Sequence, residues 1–161
     1  MELMIAIDLN AALAPVGFLL GTWRGEGQGQ YATIQPFRYR EEIRFTHNGK
    51  AFLIYTQRTE ALDTGQPLHG EAGYLRLVGE GRVEFVIAQP TGFAEISLGH
   101  IQGQRLDVES STVVRTPTAK PVTSIRRSFW MERDALCYEL KMAMEGVPLA
   151  RHLTASFHRV D

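Results

Sequence analysis

From Gly21 onward the chain alternates. Apolar or small residues and polar ones take turns at period two, the pattern of a strand with one buried and one wet face. Residues 21–31 (GTWRGEGQGQY) place Gly, Trp or Tyr at every second position. Residues 42–46 (EIRFT) alternate, and His47-Asn48-Gly49-Lys50 reads as a hairpin turn into 51–56 (AFLIYT), rich in β-branched and aromatic residues. Further segments lie at 73–77, 83–88, 94–101, 105–110, 124–132, 136–144 and 149–160, separated by short Gly-, Pro- or Asp-containing turns; 116–121 (TPTAKP) is the one loose stretch. About ten short strands with no βαβ alternation predict an all-β fold in which each strand pairs with its sequence neighbour. Such a meander has two open edges unless it closes, so an antiparallel up-and-down β-barrel is preferred to a sandwich. At about ten strands a barrel is too wide for its own side chains to fill, which predicts a ligand cavity. Ahead of it, Asp8 or Asn10 is placed to cap a short helix through Ala11, Ala12 and Leu13, with Pro15 following.

The chain has 161 residues, the size of one domain spanning 1–161. Its 17 basic and 18 acidic side chains give a formal charge of −1, which argues against a nucleic-acid or anionic-membrane surface. A single cysteine, Cys137, excludes an intrachain disulfide and a multi-cysteine zinc site, and a reducing compartment is expected. Near the N-terminus Glu2 stands where a signal peptide carries basic residues, and Asp8, Asn10 and Pro15 interrupt the apolar run. A cytoplasmic protein is the expectation; composition leaves monomer and homodimer both open.

Four glycines at alternate positions weaken a strand and need a reason. One is a sharply coiled first strand with Trp23 plugging an end of the barrel; the other is a flat ligand pressed against backbone. No Gly-x-Ser-x-Gly elbow surrounds Ser110, Ser111 or Ser128, and Gly25-Glu26-Gly27-Gln28-Gly29 lacks the Gly-Lys-Ser/Thr of a phosphate loop. The five histidines show no His-x-His or His-x₃-His pair for zinc. Cys137 reads as a packed thiol, and Met142 and Met144 share a face that suits core or cavity.

The stretch Gly21-x-Trp23-x-Gly25-x-Gly27-x-Gly29-x-Tyr31-x-Thr33-Ile34 resembles the nitrobindins, haem-binding β-barrels related in shape to fatty-acid-binding proteins and lipocalins. Ala32 stands where that family usually has proline. Residues 67–74 (PLHGEAGY), 86–92 (VIAQPTG) and 148–155 (PLARHLTA) match as well, in order and spacing. The resemblance implies a cavity holding haem b, with His152 as the sole protein ligand to iron and the sixth position open or taken by water. It places His69 in the pocket near the opposite haem face or edge, without binding iron, and Thr33 as a haem contact. It implies an enzyme, a peroxynitrite isomerase that also binds nitric oxide: ferric iron acts as a Lewis acid and no general base is required.

The residues alone read more plainly. His47 is a solvated turn residue, His100 lies late in a strand and His158 is exposed. Strand parity sends His152, Thr154, Ser156 and His158 to one face and Leu153, Ala155 and Phe157 to the other. An apolar-inside rule would then point His152 outward, unless the lining is mixed or the N-terminal helix covers the outer face. One of Arg126 and Arg127 could turn inward to a ligand carboxylate; a solvated strand face is the plainer reading. The alternative function is a non-haem carrier of a fatty acid or similar apolar ligand, and a third is a barrel whose site has decayed. His152 in its Leu-x-x-His-Leu setting separates them, since a lipid carrier does not require it.

Overall fold

The computed structural model describes residues 6–161; Glu2 lies outside them. A 3-10 helix (Ala11–Leu19) precedes ten strands: β1 (Gly21–Tyr31), β2 (Ile34–Thr46), β3 (Phe52–Ala61), β4 (Pro67–Leu77), β5 (Arg82–Gln89), β6 (Phe93–Ile101), β7 (Arg105–Arg115), β8 (Val122–Glu132), β9 (Ala135–Met144) and β10 (Val147–Arg159). Every strand runs antiparallel to its sequence neighbours, and β1 pairs with β10, so the sheet closes into the expected barrel without a free edge. No helix among the described residues is long and apolar enough to cross a membrane.

Several strands run well past the segments that alternation marks. β2 begins at Ile34, β3 continues to Ala61, and β4 begins at Pro67. The cause lies in the inward positions of these extensions. Glu41, Gln57, Thr59 and Glu71 are buried there, so the chain shows polar residues on both faces and the apolar stripe disappears.

Asn10, rather than Asp8, caps the helix: its side chain accepts a hydrogen bond from the Ala12 backbone N–H at 3.0 Å. The helix runs through Pro15 to Leu19 instead of stopping short of it, because the fixed φ of proline suits 3-10 geometry at the loss of one donor. Leu13, Val16 and Leu19 recur every three residues, one face of a three-residue turn, and all are fully buried. They close one end of the barrel together with Trp23, whose Nε1–H donates to the Leu19 carbonyl at 2.8 Å. Arg159, near the end of β10, stacks on the Trp23 ring and donates to the Phe18 carbonyl. The helix therefore seals the end away from His152 and does not cover that residue's outer face.

The glycines of β1 have two local duties. A Cβ at Gly27 would enter the Tyr39 ring, and one at Gly29 the Phe37 ring, both on β2. At Gly25 it would strike the Ser156 carbonyl of β10. Close strand approach and aromatic rings account for the alternation, with Trp23 as the plug.

Candidate functional site

Away from the plugged end the barrel opens into a cavity of about 630 Å³, within the range of small-molecule sites. Phe37, Phe93, Ile125, Leu140 and Met142 form much of its wall, and Lys120, from the loop between β7 and β8, joins the lining. The loose stretch 116–121 is thus a rim element.

His152 reaches this cavity through a β-bulge. Arg151 pairs with Lys141 and Leu153 with Leu140, so two steps along β10 match one along β9 and His152 is the extra residue. The bulge interrupts the period of two, and His152 and Leu153 both line the cavity. Parity, which sends them to opposite faces, fails here because it holds only along a regular strand.

The imidazole is held by its far nitrogen. Nδ1 lies 3.0 Å from the Gln30 carbonyl oxygen. A carbonyl only accepts, so Nδ1 carries the proton and Nε2 keeps its lone pair. Among the described residues no protein group hydrogen-bonds Nε2. Tyr31 meets the ring edge-on, with centroids 5.2 Å apart, and its hydroxyl donates to the Met142 carbonyl at 3.1 Å. Burial lowers the His152 pKa; the Gln30 hydrogen bond opposes this, and the charges of Lys120 and His69 reinforce it. The ring is therefore neutral at neutral pH.

His69, on β4, lines the same cavity, with Nε2 3.4 Å from Glu71 Oε1. Thr33 sits in the turn between β1 and β2, exposed and outside the lining, beside Ile34, which belongs to it. His47 accepts from the Gly49 N–H within its turn, and His100 and His158 are exposed; the plainer reading holds for all three.

Below the apolar wall lies a polar network that sequence reasoning missed. Arg127 is fully buried, donating through both terminal nitrogens to Glu71 at 2.8 and 3.1 Å, and also to Glu95 and to the Tyr138 hydroxyl. The solvated-face reading holds for Arg126, which pairs with Glu109 outside, and fails for Arg127. Tyr55 donates to Glu71, Ser97 to Glu95, and Gln57 Nε2 to Glu41 Oε1 at 2.9 Å. Burial pushes the Glu71 carboxyl upward, but Arg127 and the His69 hydrogen bond outweigh it and bring the pKa to about 2. Glu41 forms no ion pair among the described residues. Burial raises its pKa to about 8, with only partial relief from Gln57, so this carboxyl is mostly protonated at neutral pH. A readable signal existed: each buried polar residue continues an apolar face, as Arg127 does between Ile125 and Phe129, and Glu41 ahead of Ile43 and Phe45.

Residues 12–159 match the family described as THAP4-like, heme-binding beta-barrel domain. The chain is 46% identical over 156 residues to peroxynitrite isomerase 2 of Mycobacterium marinum, and 47% identical over 156 residues to that of Mycobacterium avium; each alignment covers 94% of this chain and 97% of the relative. Among solved structures, the crystal structure of Rv2717c from M. tuberculosis superposes with a TM-score of 0.89 at 45% identity, covering 96% of this chain and 100% of that one.

Proposed function

The chain belongs to the nitrobindin family of haem-binding β-barrels, and from that membership we propose that it is a haem-dependent peroxynitrite isomerase whose iron is held by His152. Haem b is the cofactor, and the residues present suit it. Nε2 of His152 offers a lone pair from a largely apolar wall, and the Gln30 carbonyl holds the other ring nitrogen. When bound, ferric haem supplies the Lewis-acid site at which peroxynitrite rearranges to nitrate without net redox change and at which nitric oxide binds.

The protein's own part is to position and to exclude water. Gln30 fixes the tautomer of His152, and burial keeps the ring neutral and able to ligate. Tyr31 packs against its edge. His69 would line the cavity beside the group, Thr33, exposed in the turn next to the lining residue Ile34, would meet it at the rim, and Lys120 would offer its ammonium to a haem carboxylate. The protein works as a monomer or a homodimer, with a small molecule as the partner of its site. Residues 1–161 act as one domain, working in the cytoplasm.

The observation that carries this reading is the His152–Gln30 pair, which leaves one imidazole nitrogen free at a cavity wall. A fatty-acid carrier gains no support: Arg127, the inward guanidinium, is already taken by Glu71 and Glu95. Stopped-flow mixing of the haem-loaded protein with peroxynitrite tests the activity. Decay should be accelerated by the wild type and not by His152→Ala; equal rates for the two would refute the assignment.

A further inference from the structure

The cavity continues past the level of His152. That residue sits beside Gln30 of β1, whereas Tyr39 pairs with Gly27. Three residues of strand separate the two levels, roughly 10 Å. At the deeper level the lining becomes polar, with Tyr39, Gln57 and Glu71 facing the cavity and Glu41 hydrogen-bonded to Gln57. Among the described residues, three atoms there have no hydrogen-bond partner: the Tyr39 hydroxyl, Gln57 Oε1 and Glu41 Oε2. Their residues are all more than nine-tenths buried. Leaving a buried polar atom unpaired is costly, and such atoms are rare enough that three in one group call for an occupant.

We propose that this inner end of the cavity is a second binding compartment, for a small neutral aromatic molecule bearing one hydroxyl group, a phenol. The orphaned atoms set the head group. Gln57 is locked by its Nε2–H bond to Glu41, so its free oxygen faces a ligand as an acceptor. The Tyr39 hydroxyl lies near the Glu41 carboxyl without a formed hydrogen bond to it, and so is available to donate. A phenolic hydroxyl answers both, donating to Gln57 and accepting from Tyr39.

Charge excludes the acidic counterpart. Glu71 and Glu95 share the guanidinium of Arg127, so among the described residues no free guanidinium or ammonium is left at this level for a carboxylate. A carboxylate entering here meets repulsion and gains no ion pair. Above the polar atoms, Phe37, Phe93, Leu140 and Met142 supply an apolar wall for a flat ring. Phe37 and Tyr39 already lie as a tilted pair with centroids 5.7 Å apart, seated over the glycines of β1.

Isothermal titration of the purified protein with p-cresol, and in parallel with p-toluate, tests the proposal. Expected is saturable one-site binding of p-cresol, with p-toluate weaker by about tenfold or more. Tyr39→Phe keeps the ring in its cradle and removes only the hydroxyl; it should weaken p-cresol about tenfold. Gln57→Met, which removes the acceptor, should act in the same direction if Tyr39→Phe lowers the melting temperature. No p-cresol binding, equal binding of p-toluate, or affinity unchanged in these variants overturns the proposal and leaves ordered water as the partner of the orphaned atoms. Repeating the titration on protein saturated with hemin tests separateness: retained p-cresol binding supports two compartments, and its loss overturns them. The first titration contains no haem, so its failure is distinct from a failure of the haem assignment.

Discussion

Glu41 and Glu71 are both buried, yet they titrate in opposite directions. Glu71 pairs with Arg127 and is held down to about 2, whereas burial pushes Glu41 up to about 8, with Gln57 and the charge of Arg127 relieving it only in part. For Glu71 the linked stability is present above its ordinary value of 4.5 and is lost as pH falls toward 2. For Glu41 the sign reverses: the fold favours the protonated form, so the contribution is full below pH 4.5 and is lost as pH rises through about 8. Glu41→Gln removes that loss. It should be more stable than the wild type at pH 9, by on the order of a few kcal/mol, and show a shallower decline between pH 5 and 9. Denaturant melts across that range check it; parallel pH profiles would show that Glu41 is not the titrating group. At this scale the sequence was half legible. Ile125, Arg127 and Phe129 share a parity, which turns the guanidinium inward, but Glu71, its partner, lies 56 residues away and only barrel closure brings it near.

Two elements set the site, β1 and β10, and they differ in how openly the sequence declares them. The glycine alternation of β1 was visible at once, and its cause was not. It lies in the rings of β2 and the carbonyl of Ser156, which no local pattern reveals. Gly25→Ala should destabilise the protein strongly, by about 3 kcal/mol or more, since the obstacle is backbone and does not move aside. Gly17→Ala in the 3-10 helix, with nothing within 4 Å of the new methyl, should be neutral or slightly stabilising. Thermal melts of the two variants compare them, and similar losses would contradict this account of the strand. In β10 the direction of His152 was not legible, because an extra residue in a strand leaves no mark in the hydrophobic pattern. The resemblance of its flanking residues pointed to His152 where parity pointed away.

At the scale of the whole molecule, the closed meander followed from turn spacing, and the plug from the spacing of Leu13, Val16 and Leu19 once the helix is known to have three residues per turn. What sequence hid was the division of the interior into a sealed apolar end, a buried ionic layer and an open cavity. That division has a consequence for the cofactor. Iron binds the neutral imidazole, and burial holds the His152 pKa below its ordinary 6.5. Acid must therefore go lower to protonate the ligand, and haem should be released with a midpoint below pH 6.5; Soret absorbance followed down a pH series measures it, and a midpoint above that value would contradict a buried, neutral ligand. The proposed function depends on one coordinate bond, from His152 Nε2 to haem iron. Titrating hemin into wild-type protein and into His152→Ala tests it most directly. A saturable one-to-one Soret band in the wild type, lost or shifted to that of free hemin in the variant, is the predicted result; identical spectra and affinities for the two proteins would contradict it.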